Sequence, residues 1–412
     1  MGYTMRAGTG IEVRMPPLPL DDVRVIDLTE GLAGPKCTRM LAELGADVIK
    51  IEPLAGDECR HYGPFVGERL DLEASAMFLY LNLNKRGTTL DLASVRGKAL
   101  LRQLVETADI LVESFPPGTM EDRGLGYDAL RAINPRLVMT SISNFGAAGS
   151  YRDYQATDLV LYALGGQMYV SGEYDQHPLA HAYNQAQHAG GMNAAVASLA
   201  ALHHQRETGR GQQVDVSLFE CVVSMVQLPP ARYAYTGGIE TRGPKRRPAF
   251  VKGFIEVKNG YIGLNASGRN SWQVFADFLG VPELTTEKFN TASARSRNAE
   301  ELNALLHNAL KDADKDVFWH SAVANSFTFQ MVQRPEEAAT APQLAARNFF
   351  VDVAHPAAGT VTLPGDTYGF SDTPWHVRRP APLLGQHNAE IYGTELGYSA
   401  DHLRVLRESK VI

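Results

Sequence analysis

Residues 22–52 read Asp22-Val-Arg-Val-Ile-Asp-Leu28, then Thr29-Glu-Gly-Leu-Ala-Gly-Pro35, then Lys36-Cys-Thr-Arg-Met-Leu-Ala-Glu-Leu-Gly45 and, after Ala46, Asp47-Val-Ile-Lys-Ile-Glu52. The β-branched run from Val23 to Leu28 predicts a strand. Cys37, Met40, Leu41 and Leu44 then fall at helical spacing, and Gly45 closes the helix. A second strand run, 47–52, follows at once. The unit is therefore βαβ, which makes its two strands parallel with a right-handed crossover.

The same alternation extends outward. Thr88 to Leu92 reads as a strand, Ser94 caps a helix through Ala108, and Ile110 to Phe115 reads as a strand. Tyr127 to Ile133 is a helix and Leu137 to Phe145 a strand, so an open α/β sheet covers the chain to about residue 150. Gly190 to His204 is an Ala-rich helix suited to close packing against another helix. Pro229 to Pro248 holds four Pro, three Gly and the basic cluster Arg242, Lys245, Arg246, Arg247. That composition suits a linker. Asn259-Gly260 sits between two alternating runs from Phe254 to Leu264 and predicts a hairpin. Helices at Ser271 to Leu279 and Ala299 to Leu310 complete a smaller α+β domain. The expected division is a tail over 1–17, a large domain over 18–228, a linker over 229–250, a small domain over 251–325 and a segment over 326–412 that returns to the large domain.

Length and composition narrow the class. At 412 residues the chain exceeds what one core holds, and 44% hydrophobic with 21% charged residues is ordinary for a globular protein. A formal net charge of -7 argues against nucleic acid as a partner, because phosphate backbones are held by many Lys and Arg side chains. Cys37, Cys59 and Cys221 lie far apart without a C-x-x-C pair, which fits free thiols in a reducing cytoplasm. Arg6, Gly8, Gly10, Glu12 and Arg14 interrupt the first residues, so no signal peptide is expected there, and no window predicts a membrane span.

Four features can carry chemistry. The loop Thr29 to Pro35 lies between a strand end and a helix start, where backbone N–H groups and the helix dipole favour an anion; a bare tight turn is the other reading. His177-Pro-Leu-Ala-His181, with His188 nearby, has i, i+4 histidines, but Pro178 disfavours a helix carrying both and no acidic or Cys partner stands at motif spacing, so no metal site is expected. The cluster 242–247 either holds a phosphate or is a solvated face. Asp158 follows the loop Phe145-Gly-Ala-Ala-Gly149 and precedes the apolar run 159–164. There it either stabilises a helix start or serves as a carboxylate nucleophile.

Seven segments, taken together and in order, resemble the class III CoA-transferases, the family of the formyl-CoA and carnitine CoA-transferases, to which the α-methylacyl-CoA racemases are related. They are Val25-Ile-Asp-Leu-Thr29 with Ala33-Gly-Pro35, Leu44-Gly-Ala-Asp-Val-Ile-Lys-Ile-Glu52, Asn82-Leu-Asn-Lys-Arg86 with Leu90-Asp-Leu92, Glu113-Ser-Phe-Pro-Pro-Gly118, Ala156-Thr-Asp158, Thr208-Gly-Arg-Gly-Gln212 and Ala381-Pro-Leu-Leu-Gly-Gln-His387. The resemblance runs from about Leu18 to Ile412. It implies a Rossmann-like large domain joined by linkers to a small one, and two chains interlocked like rings. It also implies coenzyme A as a substrate, with an acyl-CoA donor, a small carboxylic acid acceptor and no metal. The residue it implies as nucleophile is Asp158. CoA contacts fall on Gly31, Leu32 and Ala33, on Asn82, Leu83, Asn84 and Lys85, on Ser114 and Phe115, and on Ser143, Asn144, Phe145 and Gly146. The Arg that follows the P-G segment in the family is displaced here to Arg123, and the family's glycine-rich active-site loop has no clear counterpart between 229 and 260. Racemases of the family pair a His immediately before the Asp with a second Asp ahead of the next Gly-rich helix. Here those positions are Thr157 and Gln187, which disfavours racemisation. A non-catalytic CoA-binding subunit is the alternative of another class.

Overall fold

The structure is a computed structural model and describes residues 4–6, 12–14, 17–172, 176–242, 254–264 and 271–412. Contacts divide the chain into a larger unit, Met1–Gly172, His177–Glu240 and Asn348–Ile412, and a smaller one, Glu173–Gln176 and Thr241–Arg347.

The larger unit is built on six parallel strands, β1 (Arg24–Leu28), β2 (Asp47–Glu52), β3 (Arg86–Thr89), β4 (Ile110–Glu113), β5 (Val138–Ser143) and β6 (Gln213–Ser217), in the order β3-β2-β1-β4-β5-β6. This is the order of a doubly wound sheet, and its direction reverses between β1 and β4. Val25 lies beside Val48 and Ile110. Alternate residues feed two cores. Val25, Val48, Ile110 and Val138 point to one face, Ile26, Ile49, Leu111 and Met139 to the other. Burial on both faces explains why β1, β2 and β4 set apolar residues side by side, Val25-Ile26, Val48-Ile49 and Ile110-Leu111-Val112, instead of alternating them.

Helices α1 (Ala33–Glu43) and α2 (Val95–Val105) follow β1 and β3. Next come α3 (Asp158–Leu164), α4 (Gln185–Thr208), α5 (Leu218–Met225) and α6 (Leu228–Thr236). The close packing expected of the Ala-rich helix is present between α4 and α1: a Cβ on Gly191 would lie 2.5 Å from the Ala33 carbonyl oxygen. The C-terminal α7 (Ala400–Glu408) buries Leu403 and Leu406 in the second core.

Several expectations are corrected. The strand expected over 88–92 is β3, and β4 ends at Glu113 because Ser114 and Phe115 turn out of the sheet. Within the expected tail, Thr4–Arg6 pairs antiparallel with Glu12–Arg14. The expected linker opens with α6, whose prolines occupy the first turn, where a missing N–H costs no helical bond. Lys245, Arg246 and Arg247 lie outside the described residues.

In the smaller unit the predicted hairpin is present as β7 (Ile255–Val257) and β8 (Gly260–Gly263). Strand β9 (Gln330–Met331) adds to β8, and Phe327 and Phe329 join Phe275, Phe289 and Leu302 in one core. Those contacts carry the unit past the expected boundary at 325, to Arg347. The larger unit then resumes with the hairpin β10 (Phe350–His355) and β11 (Gly359–Pro364).

Candidate active site

A cavity of about 490 Å³ opens beyond the carboxyl ends of β1, β4 and β5, where the strand order reverses. Open α/β sheets place their ligand sites at this crevice. Its lining comes from Glu30 to Gly34, Ser114 to Pro117, Ser143 and Asn144, Arg152 to Ala156, Asp158, Asn184 and Gln187, with Glu58, Tyr62, Met77, Ile142 and Leu218.

The first loop is held from beneath. Asp27 Oδ1 accepts the Thr29 amide (3.0 Å) and hydroxyl (2.6 Å). Lys50 Nζ donates to the Thr29 carbonyl and to Asp57 Oδ2 (2.5 Å), and Asp57 Oδ1 accepts the Gly31 amide (2.9 Å). The Glu30 amide donates to Ser114 Oγ at 3.1 Å. Two glycines are required here: Gly31 has φ +75°, and a Cβ on Gly34 would stand 2.2 Å from Thr29 Cβ. These bonds occupy part of the loop's backbone amides. Those of 29–31 are engaged internally, whereas the amides of Leu32, Ala33 and Gly34 have no partner among the described residues and belong to residues that line the cavity. Asp27, Lys50 and Asp57 are all fully buried. Burial opposes ionisation of Asp27, but Lys85 and Lys50 outweigh it and hold the carboxyl well below its usual range.

Asp158 is the first residue of α3, yet its carboxylate serves another helix. Its Oδ1 accepts the Gln187 amide at 3.1 Å, in the first turn of the 24-residue α4, and the Ala186 amide also favours its charged form. The chain reaches that turn through two left-handed residues, Tyr183 (φ 61°) and Asn184 (φ 51°). For non-glycine residues this conformation is uncommon, and it clusters at functional sites. Burial raises the Asp158 pKa above its ordinary value, partly offset by the Gln187 and Ala186 amides and by His181. His181 itself contacts Gln167 Nε2 (3.0 Å) and the Tyr162 ring (5.4 Å). Among the described residues no group of three His, Cys, Asp or Glu could hold a metal ion.

Of the residues singled out in the sequence, Gly31, Leu32, Ala33, Ser114, Phe115, Ser143, Asn144 and Asp158 meet around this cavity. Phe145 lies just behind it, buried against Tyr151, Tyr154 and Phe219, and the Gly146 amide donates to Ser143 Oγ at 3.0 Å. Arg123 stands over the Phe115 ring at 4.9 Å and does not line the cavity. Asn82, Leu83, Asn84 and Lys85 do not line this cavity, and all four are buried. Lys85 Nζ donates to Asp27 Oδ2 (3.0 Å), Thr38 Oγ1 (2.8 Å), the Pro35 carbonyl (3.1 Å) and Asn82 Oδ1 (2.9 Å). Asn84 Oδ1 accepts the Arg378 and Arg379 amides. The segment is scaffold beneath the start of α1.

Sequence reasoning missed Glu30, Glu58, Arg152 and Tyr154, exposed or half-buried residues whose local pattern is that of any loop. It also missed Glu113, buried at the end of β4. Glu113 Oε2 accepts the Phe115 amide at 2.8 Å, and burial pushes its carboxyl up to about 7, against the hydrogen bonds of Ser141 and Phe115.

The family profile described as CoA-transferase family III matches residues 20–388. The chain belongs to this family. It is a transferase enzyme, and the resemblance read from the seven segments holds. A succinyl-CoA–D-citramalate CoA-transferase of Chloroflexus aurantiacus is 33% identical over 96% of this chain and 99% of its own. A formyl-CoA:oxalate CoA-transferase of Streptomyces avermitilis is 32% identical over 95% and 99%. Among solved structures, a CaiB/BaiF family protein from Brucella suis superposes with a TM-score of 0.84 at 30% identity, over 92% of this chain and 100% of that one. No helix among the described residues is long and apolar enough to cross a membrane.

Proposed function

We propose that this enzyme moves coenzyme A from an acyl-CoA to a carboxylic acid, with the Asp158 carboxylate as covalent carrier. The observation that carries this reading is the placement of that carboxylate: it lines the cavity, burial raises its pKa, and it faces two amides of the α4 terminus. A carboxylate oxygen attacks the acyl thioester carbon, the C–S bond breaks, and CoA leaves as thiolate from a mixed anhydride. The thiolate then attacks the Asp158 carbonyl of the anhydride, releasing the donor acid and leaving an aspartyl-CoA thioester. The acceptor carboxylate attacks that thioester, and the thiolate departs again. Finally the thiolate attacks the acceptor's acyl carbon in the new anhydride, which yields the new acyl-CoA and restores Asp158. No step consumes a proton. The Gln187 and Ala186 amides, which hold the carboxylate at rest, stay in place as donors for the oxyanion that develops on its carbonyl.

In this reading the CoA phosphates lie by the Leu32–Gly34 amides, which are already fixed, in preference to the basic cluster 242–247, whose long side chains must be immobilised. The protein acts in the cytoplasm, where Cys37, Cys59 and Cys221 stay reduced; all three are buried thiols. It works as an interlocked homodimer: Leu159 and Leu164 of α3, Val196 of α4 and Met225 of α5 are exposed on helices that pack together, an apolar surface that a second copy would cover.

The Asp158–Gln187 bond also favours a second reading, in which Asp158 only caps α4 and the transfer does not pass through its carboxylate. Incubation with an acyl-CoA and an isotopically labelled second acid separates the two. Transfer predicts a labelled new acyl-CoA and a loss of at least about 1,000-fold in Asp158→Asn, some 4 kcal/mol of transition-state stabilisation. Labelled product formed by Asp158→Asn at close to the wild-type rate would favour the cap.

A further inference from the structure

The cavity's charge and its aromatic side narrow the acid, given the transfer reading above. Glu30, Glu58, Asp153 and Asp158 line it, against one guanidinium, Arg152, whose Nη1 is 3.5 Å from Asp153 Oδ1. Lys50 and Lys85, beneath the first loop, are fully buried and paired with Asp57 and Asp27, and Lys36, which follows the loop, stands over the Tyr80 ring at 5.8 Å and does not line the cavity. The two buried lysines offer nothing to a ligand. Glu30 reports the same deficit: burial, with Asp57 and Glu58, raises its pKa in spite of Lys50.

Four residues before Asp158, Tyr154 presents an exposed ring to the cavity. It lies parallel to Tyr151 at 5.1 Å between centroids, with buried Phe145 set edge-on behind both rings. The ring is thus a braced flat surface beside the carrier carboxylate. An apolar acyl body gains contact against it, whereas a second carboxylate would find one cation among the described lining residues, Arg152, which already faces Asp153.

We infer that the transferred acid is a monocarboxylate with an uncharged, apolar body lying against Tyr154. This sets the chain apart from its relatives named for citramalate and oxalate, both of which are dicarboxylic acids.

The test compares 3-phenylpropionyl-CoA, butyryl-CoA and succinyl-CoA as donors to propionate. It measures kcat/KM for the wild type and dissociation constants on Asp158→Asn. The expected order is phenylpropionyl, butyryl, succinyl, with at least tenfold between the first and last. Tyr154→Ala should lower kcat/KM for phenylpropionyl-CoA about tenfold and leave succinyl-CoA within about threefold. The double substitution Glu30→Gln and Glu58→Gln should raise succinyl-CoA relative to the other two. Preference for succinyl-CoA, or an equal loss with all three donors in Tyr154→Ala, overturns the inference. If none of the three is turned over with propionate, the binding constants decide the acid class by the same order.

Discussion

The loop Thr29–Gly34 and the stretch from Arg152 to Gln187 line one cavity under different constraints. Beneath the first, fully buried charges engage the Thr29 amide and carbonyl and the Gly31 amide. On the second side, Tyr154, Thr157 and Tyr183 are exposed, Asp158 is half-buried, and the chain passes through two left-handed residues. The first side is preorganised by the fold itself. The second is anchored in the core by Leu161, Tyr162 and Ala186, but its exposed residues can differ among relatives without unfolding the sheet, and substrate choice is expected to reside there.

The comparison breaks most visibly at Lys50. Lys50→Met leaves the Asp57 carboxylate and the Thr29 carbonyl buried without their partner, and it should cost about 3–5 kcal/mol in reversible urea unfolding. A loss below about 1 kcal/mol would mean that the loop is not held from beneath.

Glu113 gives a somewhat smaller effect with a definite pH sign. Its folded carboxyl is raised by burial to about 7 from 4.5, with Ser141, the Phe115 amide, Glu121 and Asp215 around it. The folded state therefore keeps a proton that the unfolded chain releases; this stabilisation is full below pH 4.5 and is lost as pH rises through 7. Glu113→Gln should gain up to about 3 kcal/mol on the wild type between pH 5 and pH 8, read from paired denaturation curves. Parallel pH profiles for the two proteins would contradict this.

On the open side the stability effect should be smallest. Asp158→Asn keeps an acceptor oxygen for the α4 amides and should shift unfolding by less than about 1 kcal/mol while activity collapses.

Much of the sheet was legible because a strand buried on both faces sets apolar residues side by side, as Val25-Ile26, Val48-Ile49 and Ile110-Leu111-Val112 do. Strand β6 was not, since Gln213-Val-Asp-Val-Ser217 carries only two apolar residues and sits at the sheet's edge. The cavity residues on loops following β1, β4 and β5 were legible through the family segments. Asn82 to Lys85 show the limit of that route: a motif records that residues matter without saying whether they touch a ligand or hold α1 in place. The engagement of Asp158 with α4 depends on the turn at Tyr183 and Asn184, 25 or more residues further on, which no local pattern announces.

The most direct test is to trap the carrier. The enzyme is mixed with an acyl-CoA, quenched during turnover, treated with borohydride to reduce any carboxyl thioester to its alcohol, and mapped by peptide mass spectrometry. The account predicts the reduced residue at Asp158 alone, and its absence from Asp158→Asn. Modification at Glu30, Glu58 or Asp153, or continued transfer with no modified carboxyl, would contradict it.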